Sequence, residues 1–64
     1  MKYNLQFLGH DGWEPAMELR YAGDVYIEVF NRHSEDFALE VLFWAENAKP
    51  GDKYETWCLK LTVL

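Results

Sequence analysis

The chain is 64 residues long, half apolar and 17% aromatic, with six basic residues against eleven acidic ones and a formal net charge of −5. Lys2, Arg20, Arg32, Lys49, Lys53 and Lys60 are scattered along it, whereas binders of polyanions cluster Lys and Arg to displace counterions. Direct binding to DNA, RNA or an anionic membrane is therefore disfavoured.

A chain of this size reads as one domain, 1–64, near the lower limit for unaided folding. Its one cysteine, Cys58, excludes an internal disulfide and fits a reducing compartment. The segment Met1 to Gln6 lacks the apolar core of a signal peptide, and the longest apolar run, Val41 to Ala45, is far short of a membrane span. A soluble, cytoplasmic protein is expected.

In chain order, Tyr3, Leu5 and Phe7 alternate with Asn4 and Gln6, the period of a strand with one buried face. Gly9 to Pro15 gathers turn formers and reads as a loop. Met17, Leu19 and Tyr21 form a second alternating run, Ala22-Gly23-Asp24 a tight turn, and Val25, Ile27 and Val29 a third run with Tyr26, Glu28 and Phe30 on its other face. In that hairpin, the register that sets Arg20 opposite Glu28 avoids facing Glu18 with Glu28.

Residues 34–49 admit two readings. As a strand, Phe37, Leu39, Val41 and Phe43 line one face and Ala38, Glu40, Leu42 and Trp44 the other. As a helix, Ser34 is the N-cap, Glu35 and Asp36 suit the first turn, and Pro50-Gly51 is the stop, with Leu39 and Phe43 stranded on the polar side. The β-rich run Val41-Leu42-Phe43-Trp44 favours the strand. A last strand is expected from Lys53 to Val63, with Trp57, Leu59, Leu61 and Val63 inward. The expected fold is mainly β, a five-stranded antiparallel meander curled or partly closed into a barrel or sandwich. The alternative is α+β, with one helix over 35–47 on a four-stranded sheet.

No chemistry stands out. His10, Asp11, His33 and Cys58 could supply a nucleophile or metal ligands, but their spacings do not resemble those of zinc or thiolate sites. No glycine is followed by the Lys-Ser or Lys-Thr of a phosphate loop. No catalytic, cofactor or metal site is expected, and the protein reads as non-enzymatic.

The aromatic surplus is more telling. Tyr26, Phe30, Leu42 and Trp44 are left on the outer sheet face, with Trp13 in a loop, and such residues anchor protein interfaces. The partner expected first is a second copy of the chain, because two-fold association is the commonest assembly. Glu18, Glu28 and Glu40 would point outward together, which ordinarily serves solubility and edge protection. They also fit a small acidic inhibitor, of antitoxin, immunity or phage type, that binds a basic nucleic-acid-handling protein. A third reading is a small-ligand binder that stacks a ring on Trp13.

Overall fold

In the computed structural model, which describes residues 1–64, the alternating apolar positions at the two ends of the chain form the middle of a sheet. Strand β1 (Tyr3–Gly9) pairs antiparallel with β5 (Leu59–Val63), setting Leu5 opposite Leu61 and Phe7 opposite Leu59. Tyr3, Leu5, Phe7, Leu59, Leu61 and Val63 are all buried on one face. Beyond β1 lie β2 (Gly12–Trp13) and β3 (Met17–Leu19); beyond β5 lies β4 (Lys53–Glu55). The five strands form an open antiparallel sheet, not a closed barrel.

Two helices cover its apolar face: α1 (Ala22–Arg32) and α2 (Glu35–Asn47). The architecture is thus α+β, and the mainly β expectation is wrong. The hairpin of the second and third runs does not form, so Arg20 never faces Glu28, which lies within α1. Val25, Ile27 and Val29 do carry a strand period, but tertiary packing overrides that local preference. As a helix, Val25 and Val29 fall on one side with Ala22 and Tyr26 and pack on the core, while Ile27 is left exposed. A sheet with one apolar face needs a second layer, and these residues supply half of it.

The second half comes from α2. Ser34 Oγ accepts the Phe37 N–H at 3.3 Å, Glu35 and Asp36 occupy the first turn, and Ala38, Val41 and Ala45 are buried. Leu39 and Phe43 remain exposed, Phe43 at 72%. The helical alternative over 35–47 thus describes α2, but on a sheet of five strands and beside another helix. After α2 a tight turn follows, in which the Asp52 N–H donates to the Lys49 carbonyl at 3.0 Å and Gly51 takes φ +95°, a conformation that glycine adopts freely.

The expected last strand is broken in two. Thr56 Oγ1 accepts the N–H groups of Cys58 at 3.3 Å and Leu59 at 3.1 Å, which bends the chain between β4 and β5. Trp57 sits on that bend, 80% exposed instead of inward. The opposite sheet face carries Asn4, Gln6, Lys60 and Thr62 and faces water, as one side of an antiparallel sheet can. No helix is long and apolar enough to cross a membrane.

One buried polar link ties the layers together: the Tyr3 hydroxyl donates to the Ala45 carbonyl at 3.1 Å. Tyr3→Phe is expected to lower stability by about 1 kcal/mol in urea unfolding, the usual net worth of such a bond. Ala45→Leu, which forces bulk into the same contact, is expected to cost about 1–3 kcal/mol.

Candidate functional site: the groove between α2 and β4

The small side chains of α2 are the ones buried in the core, and its rings, Phe37, Phe43 and Trp44, border the flank beside β4. Phe37 and Trp44 sit there, half-buried against the core. Tyr54 rises from β4 on the same side, since it pairs with the buried Leu61. The Trp44 and Tyr54 rings stand 5.3 Å apart at 51°.

Two open cavities flank this pair and share Glu40 and Tyr54 as a common wall. One, of about 310 Å³, is lined further by Phe43, Trp44, Asn47 and Asp52. The other, of about 350 Å³, runs past His33, Phe37, Thr56 and Trp57 to Cys58. Neither is lined by a Lys or an Arg. Burial pushes the Tyr54 phenol above its ordinary value of 10, and the charge of the nearby Glu40 carboxylate adds to the shift. The groove is therefore aromatic-walled with carboxylates as its charged groups, a setting that favours cations.

The residues expected to form one aromatic sheet face are not on the sheet. Tyr26 and Phe30 lie on α1 with rings 5.9 Å apart, and Leu42 and Trp44 lie on α2. Tyr26 and Trp44 pack against the core; Phe30 stays 45% exposed. Trp13 lies on the open sheet face with Lys60 Nζ 4.3 Å from its ring centroid. The acidic face is dispersed too. Glu18 on β3 pairs with Lys2 at 3.2 Å, Glu28 is on α1, and only Glu40 lines the groove.

The remaining candidates fall in two places, His33 and Cys58 along the second of these cavities and His10 and Asp11 elsewhere. His10 and Asp11 line a cavity of about 390 Å³ formed by the Gly9–Pro15 loop. His33 is wedged between the rings of Phe7 at 5.9 Å and Phe37 at 5.4 Å. Cys58 is buried with its Sγ 3.6 Å from Thr56 Oγ1. No three His, Cys, Asp or Glu residues are grouped as metal ligands. Sequence reasoning missed Phe43, Asp52, Tyr54 and Trp57 as site residues. For Phe43 a signal existed, because a helix over 35–47 strands it on the polar side.

The Tyr54 shift has a sign that can be checked. A phenol held protonated in the fold contributes stability that is complete below pH 10 and lost as pH rises through the folded-state value. In Glu40→Gln, Tyr54 should titrate closer to 10, with the part due to burial remaining. Tyrosine ring ¹³C shifts followed against pH, assigned with Tyr54→Phe, would show it; an unmoved titration would mean that Glu40 does not act on the phenol.

Compared with known proteins, the chain matches no family model, and the comparisons with curated proteins and with solved structures likewise find no match.

Proposed function

We propose that the protein is a non-enzymatic binding module whose α2–β4 groove receives a basic segment of another protein. The observation that carries this is the composition of the groove: Phe43, Trp44, Tyr54 and Trp57 supply rings, Glu40 and Asp52 supply carboxylates, and no cation of the chain's own fills it. Arg and Lys side chains gain from both partners at once, stacking their stems or guanidinium planes on rings while the charge meets a carboxylate. The net charge of −5 steers a basic partner toward the molecule. Around the groove Ser34 Oγ bonds the Phe37 N–H and Cys58 Sγ bonds Thr56 Oγ1, neither bonds His33, and no metal-ligand set forms, so recognition rather than catalysis is the reading these groups support.

A random dodecapeptide library displayed against the immobilised full chain tests this. Enriched peptides should carry Arg or Lys, bind more weakly as salt rises, and lose roughly tenfold or more in affinity on Glu40→Gln, the scale of one charge-assisted hydrogen bond. No enrichment, or enrichment of acidic peptides alone, would refute the reading.

A second reading, self-association, rests on the outer surface of the helical layer, which meets the groove at Phe43. Ile27 and Phe30 of α1 and Leu39 and Phe43 of α2 are exposed on the helical layer. That layer is also acidic: α2 carries Glu35, Asp36, Glu40 and Glu46 and no basic residue. Two copies meeting there oppose like charges, so association should strengthen as salt screens them. Light-scattering mass at low and high salt, with Phe43→Ala as control, decides it; a monomer in both conditions eliminates self-association.

A further inference from the structure

We infer that the partner segment enters the groove as an extended strand added to the free edge of β4, an inference that rests on the reading above. The register of the β4–β5 pair carries it. Lys53, Tyr54 and Glu55 stand opposite Thr62, Leu61 and Lys60. The Val63 N–H donates to the Asp52 carbonyl at 2.9 Å and the Thr56 N–H to the Leu59 carbonyl at 2.8 Å. In an antiparallel ladder, hydrogen-bonded and non-hydrogen-bonded pairs alternate, so residues 52, 54 and 56 bond inward to β5. The N–H and C=O groups of Lys53 and Glu55 therefore point away from the sheet, and β4 is its outermost strand on that side. They have no partner within the chain.

That open edge lies beside the groove. A strand paired with Lys53 and Glu55 would set one of its residues directly across from Tyr54, on the helix side, with Cβ atoms about 5 Å apart. That side chain enters beside Glu40 and Tyr54, where the two cavities meet. Residues two positions away in either direction point the same way, over the Asp52 and Trp57 ends of the groove. The edge supplies affinity through the backbone, and the groove selects alternate side chains. The Lys53 and Glu55 side chains do not obstruct this, because they share the open sheet face with Thr62 and Lys60. The occupant is thus an extended segment with a basic residue opposite Tyr54 and alternation on either side of it.

The test uses the tightest peptide from the dodecapeptide selection. Its complex with the full chain should slow hydrogen exchange at the Lys53 and Glu55 amides by roughly tenfold or more. Glu55→Pro removes one outward donor that β5 does not use, at an edge position where proline is tolerated. It should weaken binding roughly tenfold, while Glu55→Ala binds as the parent does. N-methylation of alternate amides of the peptide gives the same readout without altering the protein: one set of positions should abolish binding and the other leave it intact. If the peptide binds and depends on Glu40, yet exchange at Lys53 and Glu55 is unchanged and neither set of methyl groups matters, the strand geometry is wrong and the groove reading stands. If selection yields no basic peptide, both fall together.

Discussion

Burial of the small-residue side of α2 in the core is the constraint on which the rest of the molecule depends. Ala38, Ala45 and Ala48, with Val41 between them, turn a narrow side of the helix to the core, and all four are buried. The Tyr3 hydroxyl spans the gap between the layers to reach the Ala45 carbonyl, so the small residues of α2 leave that carbonyl accessible to it. What cannot fit beneath the helix is moved to its margins. Phe37 and Trp44 go to the β4 side, Phe43 to the exposed rim of the groove there, and Leu39 to the outer surface. The side chains of α2 are thus divided by size: methyl-bearing ones enter the core, and its rings border a groove.

The sheet margins are finished differently on the two sides. Near β2 and β3, Arg32 lies 4.6 Å from the Phe7 ring centroid and pairs with Glu14 at 2.7 Å, so a charged clasp ties α1 to the β1–β3 connection. Near β4 there is no such clasp, and α2 stands back from the strand far enough to leave two cavities. Edges are ordinarily blunted by brevity and charge, and β4 has both in its three residues. The charges lie above the pleat, however, and do not block the backbone.

The two strands at the centre of the sheet were readable from residues alone, because Tyr3, Leu5 and Phe7 and Leu59, Leu61 and Val63 alternate without exception and are buried as that pattern requires. Residues 22–32 were not, because Val25, Ile27 and Val29 satisfy a strand locally, and only the need to cover the sheet makes a helix of them. The bend at Thr56 escaped notice for a related reason: a hydroxyl that captures two amides leaves no mark on an apolar pattern. Of the site, the sequence pattern marks Trp44 and Glu40, each for a sheet face that does not form. Their meeting with Tyr54 and Asp52 is a product of tertiary packing, since α2 and β4 come together only after the intervening turn reverses the chain.

The central pair of strands has a consequence for how the molecule assembles. Tyr3 lies opposite Val63, and the Leu64 N–H donates to the Lys2 carbonyl at 2.8 Å, so the ladder in the middle of the sheet is the one that spans the greatest separation along the chain. The helical pair, by contrast, is joined through His33 and Ser34 alone and draws on neighbours in sequence. Local structure of that kind forms early, whereas distant pairing must first overcome the entropy of closing a long loop. The helices are thus placed to act as a template on which β1 and β5 meet, so the central ladder is the last part of the sheet to close.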